Sequence, residues 1–448
     1  MKTTVRRTKR TFSPQTEVPS IYKKTTLPNG LRVVTEKISH VRSASLGIWV
    51  DVGSRDEDPS FNGITHFIEH MVFKGTKKRS LREISRSIES VGGYMNAFTS
   101  KEHTCFYARV LDEHTRLALD VLSDLTLNAV FPERELEKEK GVVIEELRNA
   151  EDDPDDIIHD YFEKSLYGSH PMGFPVIGTE SNLRAFNRNN LLAYRKKHYR
   201  PDRMVVAAAG NLEHDQLVDF VTSSFPTGSR KPERHGRKKP QRKIGQRVEI
   251  ERPIQQAHVC MGTVALSIRS KQRYPLMVLN SLLGDGMSSR LFQNIRERYG
   301  FAYNVYSFVS LQSDTGSFGV YVGTDKSHVD ASIELVVKEL DGLKKKPVSA
   351  AELRRIKDQL KGSMMLSLEN IPSRMMRLGS SELYFKEQSP LDSIIRQIDA
   401  VQPEDIQAIA GDLFKAEEFS RIIFLPSGRP QAGEGGIALA AMNRERAV

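Results

Sequence analysis

Val91 to Val110, VGGYMNAFTSKEHTCFYARV, decides the fold, because the second half of the chain repeats its pattern as YGFAYNVYSFVSLQSDTGSFGVYV, Tyr299 to Val322. Both stretches open on a glycine turn and continue into aromatic, alternating residues, the period-two signature of a hairpin with one buried face. The echo extends outward. Phe131-Pro132 precedes the helical run ERELEKEKGVVIEEL, and Pro347 precedes SAAELRRIKDQLKGSMM. Self-similarity of this kind marks one unit duplicated. Each unit reads as two opening strands, two short helices, the hairpin, a pair of longer helices and a closing strand. In the first unit LRVVTEK and ASLGIWVDVG alternate as strands, and MVVAAAG (Met204 to Gly210) is a continuous buried strand.

Hairpins with helices packed to one side make an α+β pattern. The expected fold is two homologous α/β-sandwich-like halves, each a mixed, largely antiparallel sheet with helices on one face. The expected divisions are a basic tail at 1–20, a first half at 21–228, a basic linker at 229–246, a second half at 247–426 and a tail at 427–448. A chain of 448 residues supports two cores of this size. No apolar run approaches the roughly 20 residues needed to cross a bilayer, so no membrane span is expected. Cys105 and Cys260 lie far apart in apolar strand-like segments and read as small buried hydrophobes in a reducing compartment.

The formal net charge is +9, but it is concentrated. Arg230 to Lys243 holds eight basic residues against Glu233, and Met1 to Arg10 holds five with no acid, which leaves the rest of the chain slightly acidic. Pro226 to Gln246 contains almost nothing to bury and reads as a solvated linker. With no helix-turn-helix, aromatic platform or cysteine-histidine finger, nucleic acid is not an expected partner.

The chemistry lies in NGITHFIEHM, Asn62 to Met71. On a helix His66 and His70 share a face one turn apart, the geometry two imidazoles need to share a zinc ion. Glu69 lies on that face too, and a carboxylate there can take a proton from a water that the metal activates. Two surface histidines and a charge are the plainer alternative, but Ile64, Phe67, Ile68, Met71, Val72 and Phe73 make this a largely buried helix whose polar face needs partners. A hydrolytic zinc takes three protein ligands, and the helix from Glu133 to Ala150 offers candidates for the third. Glu139 and Glu146 fall beside its apolar stripe of Leu136, Val143 and Leu147, while Glu137 and Glu145 point away. Helical phase alone does not choose between Glu139 and Glu146, and Glu135 also stays open.

His-x-x-Glu-His is the inverted zinc-protease motif, and GITHFIEHMVFKGT with ESVGGYMNAFTSKEHTCFY resembles the pitrilysin (insulinase) family, in its mitochondrial-processing-peptidase-like branch of bacterial type. The likeness runs from TLPNGLRVV through RPDRMVVAAAGNL to LENIPSRMMRLGSSELYF. It implies two α+β halves enclosing a peptide-binding chamber, with one Zn2+ per chain held in the first half by His66, His70 and Glu146. It implies Glu69 as general base and Glu139 as a group that orients a ligand or the water. It also places substrate as an added strand along MNAFTS, at Asn96, Ala97 and Phe98, with Arg296 and Tyr303 holding the peptide main chain near the scissile bond. Because this chain carries both the zinc set and the arginine-tyrosine pair, a self-sufficient homodimer is expected, with a heterodimer with an inactive homologue as the alternative. The function implied is a zinc endopeptidase acting on extended peptides or unfolded, presequence-like segments. The rival is a non-catalytic structural subunit of the same fold. A bacterial cytoplasmic location is expected, with the mitochondrial matrix as the alternative suggested by the basic, acid-free first ten residues.

Overall fold

A computed structural model describes residues 21–226, 236–241 and 243–427. The expected tail at 1–20, the linker positions 229–235 and 242, and all but Ser427 of the tail at 427–448 lie outside those residues. Eleven strands form two sheets among the described residues. The first is built from β1 (Ile21–Thr26), β2 (Arg32–Lys37), β3 (Ser43–Val50), β4 (Tyr94–Thr99), β5 (Thr104–Leu111) and β6 (Met204–Gly210). The second is built from β7 (Arg247–Arg252), β8 (Ala257–Ala265), β9 (Ala302–Leu311), β10 (Gly316–Thr324) and β11 (Ser420–Pro426).

The strand orders are β1-β2-β6-β3-β5-β4 and β7-β11-β8-β10-β9. Without β1 the two are superimposable in topology: β2 and β7 each run parallel to the closing strand, β6 or β11, and every other pairing is antiparallel. The duplication read from the hairpins therefore extends to strand order and direction. β4 and β9, the first strands of the two hairpins, are each the last strand of a sheet.

Period-two alternation sends neighbouring residues of one strand into different cores. On β6, Met204, Val206 and Ala208 face the main core of the first half, while Val205, Ala207 and Ala209 face the opposite side. The first side is covered by the helices of the same half. The opposite side is covered by Ile371, Met375 and Leu378 of the helix Ile371–Phe385, which belongs to the second half. The second sheet shows the reciprocal arrangement. Cys260, Tyr321, Ile422 and Phe424 pack under Ile157, Ile158, Phe162 and Leu166 of the helix Pro154–Tyr167, supplied by the first half. Both cysteines are buried and unpaired in these two shared cores.

The exchanged contact is tight. A Cβ on Gly379 would lie 2.1 Å from Trp49 Nε1, and one on Gly47 would lie 2.6 Å from Met375 Sδ, so glycine is what lets the Ile371–Phe385 helix approach β3. Most described positions of the linker are exposed, and Arg237 is an exception to the solvated segment expected. The Arg237 side chain is 16% exposed and hydrogen-bonds Asp51, Asp56 and the Glu102 carbonyl, because a rigid five-donor fork finds its acceptors already assembled there.

Candidate metal centre

The helix Ile64–Val72 buries Ile64, Phe67, Ile68, Met71 and Val72 and turns His66, Glu69 and His70 the other way. Its start is built by two residues. Gly63 sits at φ 97°, where a Cβ would come within 2.6 Å of the Ile177 carbonyl, so only glycine fits. The buried Glu57 carboxylate accepts hydrogen bonds from the Gly63 and Thr65 amides, each at 2.8 Å, and from Asn62 Nδ2 at 3.0 Å. It thereby satisfies donors that a helix leaves free at its first turn. Burial pushes the Glu57 carboxyl up to about 7 despite these bonds.

The helix Glu133–Asp152 passes alongside and brings Glu146 to the two imidazoles. His70 Nε2 lies 3.3 Å from one Glu146 oxygen and His66 Nε2 lies 3.7 Å from the other. One donor atom from each of the three residues fits within a 4.8 Å span, the only such group found among the described residues. Nitrogen and oxygen ligands at about 2.0–2.1 Å in tetrahedral array stand roughly 3.3–3.4 Å apart, so this donor set suits a zinc ion with one position left open.

Glu139 is almost fully buried about two helical turns before Glu146, where one of its oxygens meets His70 Nδ1 at 3.0 Å and the other meets Lys74 Nζ at 2.6 Å. It thus fixes the ring of His70 and leaves Nε2 facing Glu146. His66 Nδ1 is buried and has no hydrogen-bond partner among the described residues. Glu135 stands apart and pairs with Lys138. Glu69 accepts a 2.5 Å hydrogen bond from the Thr99 hydroxyl at the end of β4.

The electrostatics follow from this crowding. Burial, reinforced by the neighbouring His70 cation, holds His66 down at about 4. Burial also lowers His70, but the carboxylates of Glu139 and Glu146 outweigh it and lift that imidazole to about 9. Burial raises Glu69, with the Thr99 bond working against it. Lys74 and Thr99 were not among the residues expected. Lys74 stands one turn beyond His70, a local spacing, whereas nothing in sequence pairs Thr99 with Glu69.

Asn96, Ala97 and Phe98 lie on β4, which among the described residues is the last strand of its sheet and pairs with β5, and the Ala97 amide donates to Asn96 Oδ1 at 2.8 Å. Asn96 is exposed and hydrogen-bonds Tyr94. The Phe98 ring packs edge-on against Trp49 at 5.7 Å in a shared core, so what it offers a ligand is its main chain. Arg296 and Tyr303 are both exposed, the former lying over the Phe292 ring at 4.8 Å. Neither forms a hydrogen bond or ion pair with His66, His70 or Glu146 among the described residues.

Residues 32–180, which contain the whole cluster, match the family model described as Insulinase (Peptidase family M16), and residues 185–360 match the one described as Peptidase M16 inactive domain. An uncharacterized zinc protease of Bacillus subtilis is 44% identical over 409 residues, spanning 91% of this chain and 98% of its own. The chain belongs to the M16 (insulinase, pitrilysin) family. A second uncharacterized zinc protease, from Streptomyces coelicolor, is 43% identical over 87% of both chains. Among solved structures, a protease from Helicobacter pylori shares the fold with a TM-score of 0.84 at 22% identity, covering 91% of this chain and all of its own. An M16 inactive-domain protein from Pseudomonas fluorescens gives the same TM-score at 20% identity, over 91% and 98%. The fold of two homologous halves is thus that of M16 proteins of bacterial type.

Proposed function

We propose that this M16 chain is a zinc-dependent endopeptidase that cuts extended or unfolded peptide segments, with one zinc per chain held by His66, His70 and Glu146. The observation that carries the reading is the convergence within 4.8 Å of His66 and His70, from the helix that also presents Glu69, with Glu146 from the helix Glu133–Asp152. The names of the curated relatives, zinc proteases, point the same way. A zinc ion in this donor set would supply Lewis acidity at its open position.

The protein groups around it have separable tasks. Glu69 takes a proton from the attacking water and hands it to the leaving amine as the C–N bond breaks, so that the carboxylate is unchanged at the end. Thr99 donates to one Glu69 oxygen and leaves the other to move the proton, and burial keeps the carboxyl a stronger base than an exposed one. Glu139 holds the His70 ring through Nδ1. The outer edge of β4 at Asn96, Ala97 and Phe98 pairs with the main chain of an extended peptide, which takes the place of the Asn96 side chain on the Ala97 amide, and folded proteins are spared because their backbone donors are already used. Arg296 and Tyr303 hold that main chain near the scissile bond, from the same chain or from the second copy of a homodimer, by donating to its carbonyls. A bacterial cytoplasmic setting completes the reading.

The rival, a non-catalytic subunit, draws on the inactive-domain match, but that match covers 185–360 and contains none of the four residues of the centre. Glu69→Gln decides between them. We expect turnover of an unstructured peptide to fall by about 10²–10⁴-fold, the range for a general acid–base group, with zinc content unchanged. A zinc-loaded E69Q that turns over at the wild-type rate would exclude Glu69 as base.

A further inference from the structure

Four separate segments meet around two buried guanidinium groups at the end of the substrate-side strand. Asp51 and Asp56 come from the loop after β3, Glu102 from the turn between β4 and β5, Arg237 from the connecting segment, and Ser313 with Asp314 from the turn between β9 and β10. Arg237 holds Asp56 through both carboxylate oxygens, at 3.0 and 2.8 Å, Asp51 at 2.8 Å and the Glu102 carbonyl at 2.7 Å. Arg55 bonds Glu102 at 2.6 Å, Asp314 at 2.8 Å and the Lys238 carbonyl at 2.8 Å. Glu102 also accepts from the amide and hydroxyl of Ser313, at 2.9 and 2.6 Å.

The two segments that Arg237 clamps are already in close contact. Ser54 and Arg55 amides donate to the carbonyls of Ser100 and Lys101 at 3.1 and 2.8 Å, and a Cβ on Gly53 would fall 2.3 Å from the Ser100 oxygen. Each segment ends on the metal centre. The loop continues from Asp56 into Glu57, whose carboxylate holds the first turn of the His66 helix. The turn begins one residue after Thr99, whose hydroxyl holds Glu69.

We infer that Arg237 is a positioning residue for the peptidase centre: by riveting the Asp51–Glu57 loop to the Ser100–His103 turn, it fixes Thr99 against Glu69 and Glu57 under the His66 helix. The basic segment is thereby given a task beyond joining two halves. A lysine cannot replace it fully, because one ammonium does not reproduce a planar fork that spans two carboxylates and a carbonyl. The inference rests on the peptidase reading above, and its test is built so that the two fail separately.

The test compares full-length, zinc-loaded wild type, R237A, R237K, T99V and R237A/T99V. On one peptide cleaved by the wild type, R237A lowers kcat by about tenfold or more, within the roughly hundredfold that an ångström of misplacement can cost, while KM moves by less than about threefold. T99V lowers kcat likewise, and the double variant is no worse than the poorer single one, since both remove the same alignment. R237K is intermediate, and millimolar methylguanidinium restores part of the R237A rate. Independently of activity, amide exchange in R237A accelerates in 51–57, 63–67 and 100–103 and stays unchanged in β8 and β10. An unchanged kcat, losses that multiply in the double variant, or exchange raised evenly over the chain would each overturn the inference. If R237A does not fold, R237K carries the same comparison, and a wild-type kcat and exchange pattern there overturns it. If the wild type cuts nothing, the peptidase reading falls, and the exchange pattern alone still decides whether Arg237 holds the two segments.

Discussion

The helices Ile64–Val72 and Arg273–Gly284 stand in corresponding places in two copies of one topology, each following an inner strand, β3 or β8, and leading toward the hairpin. The first carries His66, Glu69 and His70. The second carries Leu276, Val278, Leu279, Leu282 and Leu283, all buried, and has no histidine or acid. The fold needs a helix at that position and does not need a polar face on it. Half-buried imidazoles and a carboxylate cost stability unless something partners them, so the polar face of the first helix is explained by what it binds and the apolar face of the second by packing alone.

That contrast can be broken most severely at Glu146. E146A removes a donor, and zinc affinity should fall by more than the roughly 100-fold that loss of an outer partner costs, with activity following zinc content measured by atomic absorption. An E146A protein that keeps stoichiometric zinc at low micromolar metal would contradict the donor set. The mirror-image change is L279A on the fully buried core face of the other helix. It should cost about 2–5 kcal/mol in denaturant unfolding while leaving zinc stoichiometry intact, because it opens a cavity far from any donor. Loss of zinc with L279A would mean that the halves are not separable in this way.

A finer test uses the proton. In the metal-free protein His70 is held at about 9, above its usual value near 6.5, while His66 is held at about 4. The proton on His70 therefore stabilises the metal-free fold fully below about 6.5, and that contribution is lost as pH rises through 9. His66 acts in the opposite sense: between about 6.5 and 4 the unfolded chain binds a proton that the fold does not, so falling pH destabilises. Zinc binding at pH 7.5 should accordingly release about one proton, seen as a buffer-dependent heat in titration calorimetry, and the release should fade above pH 9. E139Q removes one cause of the raised value, so it should shrink that release and weaken zinc by about 10–100-fold. The smallest effect belongs to Gly362, inside the helix Ala350–Ser367, where an added Cβ meets nothing within 4 Å. G362A should raise stability by about 0.4–1 kcal/mol and leave activity unchanged.

The sequence exposed what is local or repeated. Hairpin alternation appears twice, so the duplicated topology was legible, and the His66–Glu69–His70 spacing is local, so one face of one helix could be seen. The choice between Glu139 and Glu146 was not legible from helical phase, since both lie beside the same stripe. What separates them is tertiary: Lys74 and His70 Nδ1 lie against Glu139, while the two Nε2 atoms lie against Glu146. The exchanged helices were hidden for a similar reason. Amphipathicity says which face of Pro154–Tyr167 is apolar and does not say whose sheet it covers. Arg237 sat in a run of basic residues and read as solvated, because its partners at 51, 56 and 102 are distant in sequence.

The most direct measurement of the central claim is a mass-spectrometric readout of a mixed peptide library incubated with the zinc-loaded chain, with zinc-loaded E69Q and the chelated wild type beside it. The account predicts defined cuts in extended peptides by the wild type alone, restored when zinc is returned after chelation. Stoichiometric zinc with no cuts by any of the three, or the same cuts by E69Q, would contradict it.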